Sequence, residues 1–275
     1  AVPVQTKDFE WNTNLTYSTN KNEIKSISND EFSMSTDWFT TGHTGEPIQT
    51  STHRVKVGSP IGDFYGLKSV GLTTDGKWLV ERFDENGKKF YDYANNATEA
   101  DWQILGNGVP THYLNFNNTL RYKNWDLTIG MRGAFGFQIL NFQEMYYANP
   151  TIQYNVLNSA FDTHPTYEIV DGGYGIKRAS KDVTISDSQR YVSEYVEDGD
   201  YWKIDNVTLG YTFNTKTWKY VKNLRLYASC LNLATITGYK GLDPEVRMTG
   251  LDAGTDSRDK YPTNRSFTFG VNVTF

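Results

Sequence analysis

The chain has 275 residues, a formal net charge of -5 and a pI near 5.4, a balance that argues against a nucleic-acid phosphate contact surface. Only 38% of it is hydrophobic and mean hydropathy is -0.59, so no window approaches the ~18 apolar residues of a membrane helix. Aromatics reach 15% beside abundant Asn and Thr, a mixture that favours strands and turns and also suits a transmembrane β-barrel, in which only alternate residues meet lipid.

The opening AVPVQTKDFEW lacks a charged-then-apolar signal segment, so the chain reads as a mature or cytosolic protein or as a piece of something longer. Period-two alternation then recurs six times, predicting strands near 9–20, 111–123, 125–139, 201–213, 223–233 and 264–275. In the first, Phe9, Trp11, Leu15 and Tyr17 share a face; in the second, Leu114, Phe116, Leu120 and Tyr122 do. The third is the clearest, with Trp125, Leu127, Ile129, Met131, Phe135, Phe137 and Ile139 set against Asp126, Thr128, Arg132 and Gln138. The fourth changes phase between Ile204 and Val207, which predicts a β-bulge near Asp205–Asn206. The last strand, RSFTFGVNVTF, places Phe267, Phe269, Val271, Val273 and Phe275 on one face. These runs are long enough for tilted membrane strands and exceed the soluble mode of ~5–6 residues.

The connections alternate. Tight turns are expected near Lys123–Asn124 and between 215 and 222; long connections fall at 21–110, 140–200 and 234–263, all at one end of the strands. Within the first, VGSPIGDFYGLKSVG suggests a further hairpin. The pattern fits an all-β, antiparallel transmembrane barrel with short periplasmic turns, long extracellular loops and a periplasmic C-terminus. Six strands cannot close, so the remainder of the barrel is expected upstream or in another chain.

Little in the sequence carries catalysis. His43, His53, His112 and His164 have no metal-ligand spacing, and Cys230, the only cysteine, excludes an internal disulfide and a cysteine-based metal site. The glycine-rich DGGYGIKRAS lacks the ending of a phosphate loop. Asp252, Asp256 and Asp259 are a weak calcium candidate, behind a solvated acidic loop. No catalytic residues, metal or cofactor are assigned, and no enzyme activity is expected. Trp78, Tyr91 and Tyr93 in the first long connection, and Tyr146, Tyr147 and Tyr174 in the second, are candidates to face a substrate or partner, because aromatic faces stack on sugars and apolar peptide side chains. The competing reading is that they pack the loops together.

Several motifs resemble the SusC/RagA family of TonB-dependent outer-membrane receptors. They are ILGNGVP, LRYKNWDL, MRGAFGFQILN with Arg132 and Gly133, EDGDYWKIDNVTLGYTF with Asp200, NLRLYASCLNLATITGYKGLDPEV with Asn232, Gly241, Asp243, Pro244 and Glu245, and YPTNRSFTFGVNVTF with Arg265. VGSPIGDFYGLKSVG also looks like a family segment. The resemblance implies a 22-stranded barrel in the outer membrane of a Gram-negative bacterium, of which this chain is about the last six strands. It implies a plug and a TonB-binding segment, both absent from this sequence, and a SusD-like lipoprotein lid. It implies import of an oligosaccharide or a peptide through contact with TonB, and Phe275 as the signal that outer-membrane assembly reads. Two other readings compete. A soluble secreted β-sandwich that binds carbohydrate would bury the same apolar faces against a second sheet. An extracellular β-rich hydrolase lacks a catalytic constellation.

Overall fold

A computed structural model describes residues 1–275. Six long strands form one antiparallel sheet: β1 (Phe9–Thr19), β2 (His112–Tyr122), β3 (Trp125–Phe135), β4 (Tyr201–Thr212), β5 (Asn223–Thr237) and β6 (Ser266–Thr274). They neighbour one another in chain order, and the short Val4–Gln5 segment adds a seventh strand beside β1.

Register places the alternating faces in line. Leu120 lies opposite Trp11 and Leu127, Leu127 opposite Leu209, and Leu209 opposite Ala228, which faces Phe269. One side of the sheet is thus apolar across all six strands and the other polar. The phase change in β4 is real: its register shifts between Ile204 and Asn206 against β5. The extra residue returns the apolar set to the correct face.

The third strand is shorter than its periodicity suggests. It ends at Phe135 rather than at 139, because Gly136 turns the chain with φ 74, a conformation open to glycine. Gln138–Asn141 then leaves the sheet, pairs with Val196–Asp198 and lies parallel to Thr255–Asp256. In the other direction β5 runs on to Thr237.

Aromatic side chains mark both ends of the apolar face. Trp125 packs on Tyr211 at 4.7 Å near the tight turns, and Phe135 stacks on Trp202 at 6.4 Å at the far end. The ten steps from Trp125 to Phe135 span about 34 Å at ~3.4 Å per residue. At a strand tilt of ~40° that is about 25 Å of height, the height of an apolar band between aromatic girdles.

The long connections do not hang separately. A core of buried residues joins Phe64, Leu72, Trp78 and Val80 of the first to Leu140, Met145, Tyr146, Tyr191 and Val192 of the second. The third joins through Thr255–Asp256, and through His53, whose Nε2 lies 2.9 Å from the Ala253 carbonyl oxygen. The result is one packed cap at the end of the sheet opposite the tight turns. VGSPIGDFYGLKSVG belongs to it: Asp63–Gly66 pairs with His53–Lys56 and with Gln103–Asn107.

His53 is fully buried, and burial holds its pKa below the ordinary 6.5 despite the opposing Ala253 carbonyl. A histidine whose folded pKa is depressed contributes stability at and above its unfolded value, and loses it as pH falls toward the folded one. Protease resistance of the cap should therefore decline as pH falls below about 6.5. His53→Gln should flatten that decline, and an unchanged slope would show that another group controls it.

Candidate functional site

The polar face of the sheet carries a chain of ion pairs. Near the tight turns, Arg225 on β5 reaches over β4 to Asp126 on β3, with Nε 3.0 Å from Oδ1. Gly210 lies beneath the bridge; a Cβ there would sit 2.3 Å from the Arg225 guanidinium. A glycine at this point of β4 therefore lets two strands that are not neighbours be tied directly.

At the cap end the network is denser. Arg132 on β3 bridges Asp205 at 3.2 Å and Glu245 at 2.6 Å. Lys203 on β4, only 1% exposed, pairs with Asp243 at 3.3 Å and with Glu245. The Tyr201 hydroxyl donates to Glu245 at 3.3 Å. The GLDPEV turn of the third connection is thereby pinned to the sheet's polar face. Burial alone would raise the Asp243 carboxyl. The Thr263 hydroxyl, the Glu245 amide and the Lys203 ammonium together hold it below the ordinary value of 3.8. A cavity of about 300 Å³ opens beside this network, lined by Tyr113, Asn115, Arg132, Tyr201, Glu245 and Met248. Its walls offer two aromatic rings, an amide, paired charges and a thioether. That set is suited to hydrogen-bonding and stacking on a polar ligand.

The other residues singled out in the sequence have structural placements. Gly133 sits against the Trp202 ring, where a Cβ would meet Cε3 at 2.6 Å. Asp200 accepts from the Gly136 amide at 2.6 Å and closes the chain's exit from β3. Asn232, with φ 53, forms the irregularity in β5, and its side chain donates to the Asn264 carbonyl at 3.0 Å. Arg265 donates back to the Asn232 carbonyl at 3.4 Å, which ties the start of β6 to β5. Gly241 leaves room for the Tyr239 ring, and the Pro244 carbonyl accepts from the Val246 amide at 2.9 Å. Phe275 follows β6 and is 75% exposed.

The six candidate aromatics divide. Trp78 and Tyr146 are core residues of the cap, 1% and 0% exposed, and cannot face a ligand. Tyr91 and Tyr147 are half-buried, the latter against Tyr154. Tyr93 and Tyr174 are exposed. Tyr174 donates to Asp84 at 2.8 Å and lies under the Lys88 ammonium at 3.8 Å, so its ring is already fixed in orientation. The structure does not bring the three calcium candidates together. Asp252 pairs with Arg247; Asp256 is buried, accepts from the Tyr239 hydroxyl at 2.7 Å and lies 3.4 Å from Lys260. Asp259 joins neither, and no group of three His, Cys, Asp or Glu side chains is placed to hold a metal ion. Sequence reading missed Lys203, Tyr201 and the Arg225–Asp126 pair. Each lies on the wet phase of its strand, so alternation located the face but not the partner.

Removing the Lys203 ammonium leaves Asp243 buried without its cation, a change worth ~3–5 kcal/mol in comparable buried pairs. Lys203→Met should therefore lower the thermal stability of the cap by that order. Lys203→Met combined with Asp243→Asn should recover part of the loss, and strict additivity in this double-mutant cycle would show that the two do not interact.

No protein-family model matches the chain. It is 30% identical to TonB-dependent receptor P3 of Formosa agariphila over 99% of this chain and 27% of that protein. It is 28% identical to TonB-dependent receptor SusC of Bacteroides thetaiotaomicron over the whole chain and 25% of that protein. The chain thus spans about a quarter of the length of these curated relatives. Among solved structures, the RagAB peptide transporter superposes on the whole chain with a TM-score of 0.76 at 18% identity, over 28% of its own chain. The RagAB peptide importer in its closed-closed state gives 0.74 at 17% identity, again over 28% of its chain. From end to end, therefore, this chain resembles the TonB-dependent receptors of the SusC/RagA family and has the fold of part of a RagA-type β-barrel.

Proposed function

We propose that the chain is the C-terminal part of an outer-membrane, TonB-dependent importer of oligomeric nutrients, an oligosaccharide or a peptide, which works with a SusD-like surface lipoprotein. The observation that carries this reading is the sheet itself, apolar on one side and polar on the other, with every long connection gathered at one end. The apolar side stands bare: Leu15 is 64% exposed, Leu209 45%, Phe269 81% and Val271 58%. Lipid would cover that surface at no cost in backbone pairing, since neighbouring strands satisfy one another and the remaining strands of the barrel would pair the two edges. A β-sandwich would bury it under a second sheet, and these side chains stand exposed, so the carbohydrate-binding sandwich is not favoured.

In this reading the tight turns and the C-terminus face the periplasm, and the cap faces outward toward the lipoprotein. The remaining strands, the plug and the TonB-binding segment are supplied by the rest of the importer. The polar face lines the passage. Tyr93, Tyr174 and the cavity beside Arg132 are the places where cargo or partner would touch this part.

Two measurements test it. Detergent extraction of native membranes should yield this sequence in an assembly much larger than 31.4 kDa, with a lipoprotein alongside. Recovery as a soluble 31.4 kDa monomer would end the importer reading. In folding titrations of the full-length protein in lipid vesicles, Val271→Lys should cost ~2–4 kcal/mol if it lies near the bilayer midplane. Thr268→Lys, on the opposite face across from Ser229, should be close to neutral. Equal costs would reverse the assignment of the faces.

A further inference from the structure

The connection between β4 and β5 is FNTKTWKYVK, Phe213 to Lys222, at the end of the sheet away from the cap. It holds three lysines, Lys216, Lys219 and Lys222, three aromatics, Phe213, Trp218 and Tyr220, and no acidic residue. Elsewhere acidic side chains crowd the long connections, so charge is divided along the molecule: the cap end is acidic and this turn basic. The turn is folded. The Thr215 hydroxyl donates to the Lys222 carbonyl at 2.6 Å, the Trp218 amide donates to the Thr215 carbonyl at 2.9 Å, and the Lys222 amide donates to the Thr274 carbonyl at 2.7 Å.

Phe213 packs on Tyr211, whereas Trp218, Tyr220 and the three lysines point outward. Trp218 is 47% and Tyr220 72% exposed. The ion pairs of this end stop at Arg225–Asp126, and the three lysines stand in solvent, Lys219 with its ammonium 5.2 Å from the centre of the Tyr220 ring. Just above the turn lies the aromatic girdle of Tyr122, Trp125 and Tyr211, with exposed Lys123 5.4 Å from the Tyr122 ring. Amphipathic rings with cations immediately beyond them match the layering of a bilayer surface, where rings sit at headgroup depth and ammonium groups reach the phosphates.

We infer that the turn 213–222 is a docking site for anionic phospholipid headgroups, which fixes the depth of the sheet in the periplasm-facing leaflet. The inference rests on the membrane reading above and adds to it a ligand and the residues that hold it. Trp218 and Tyr220 insert among the headgroups, and Lys216, Lys219 and Lys222 select lipids that carry net negative charge. Each lysine near such a surface corresponds to roughly a fivefold gain in partition at moderate ionic strength.

The test uses the full-length protein in mixed micelles that offer equimolar phosphatidylglycerol and phosphatidylcholine, with retained lipid counted by native mass spectrometry. Wild type should retain phosphatidylglycerol preferentially, and that preference should weaken at high salt. A Lys216→Gln, Lys219→Gln, Lys222→Gln triple variant should lose at least about fivefold of the preference. Trp218→Ala with Tyr220→Ala should lower retention of both lipids alike. Heat-modified migration on a gel confirms that each variant keeps its barrel. A wild type without headgroup preference, or a triple variant that keeps it, overturns the inference. So does a triple variant that loses only lipopolysaccharide offered in the same assay, since that lipid belongs to the other leaflet. A protein that needs no detergent overturns the membrane reading as well, so the two failures are distinguishable.

Discussion

A strand can send its side chains in only two directions, and everything else in this chain follows from how the two are used. Between neighbouring strands of the ladder from β1 to β6 the backbone is paired, which frees one whole face to be hydrophobic without a protein partner. The opposite face then has to hold every charge the strands carry. Glu10, Arg121, Asp126, Arg132, Lys203, Asp205 and Arg225 all lie there, and the last five are held in ion pairs. Such groups are costly to bury singly. Their pairing across strands turns a requirement of solvation into a set of lateral ties.

Those ties also organise the cap. Arg132 and Lys203 belong to the sheet, whereas Asp243 and Glu245 belong to the third connection. The same charges that make one face of the sheet polar therefore decide where that connection comes to rest. From there Thr255–Asp256 and the Ala253 carbonyl carry the attachment into the first two connections. Sheet and cap are coupled by electrostatics at one point and by shared packing everywhere else.

The sheet was largely legible in the sequence because period-two alternation is a local signal. Even the bulge in β4 declared itself through the change of phase between Ile204 and Val207. Where reading failed, the deciding contact was distant in the chain. Phe137 and Ile139 keep the alternation of β3, yet they belong to the cap, because one glycine changes the path of the backbone. Trp78 and Tyr146 look like ligand-binding aromatics by composition, but their partners in the core come from a different connection. Asp256 looked available to a cation until Tyr239 and Lys260 were placed beside it. The family resemblance pointed to Asp243 and Glu245, whereas only the fold shows Lys203 behind them.

The shared core of the cap also bears on how such a surface can change over generations. Three separate loops could drift one at a time, each trying new lengths and side chains. Here Phe64, Tyr146 and Tyr191 come from two connections and pack as one cluster, while the third threads its own short strand beside Gln138–Asn141. A graft that brought in one connection from a relative would arrive without the surfaces it packs on. A designer who wished to replace this end would have to transplant all three connections together.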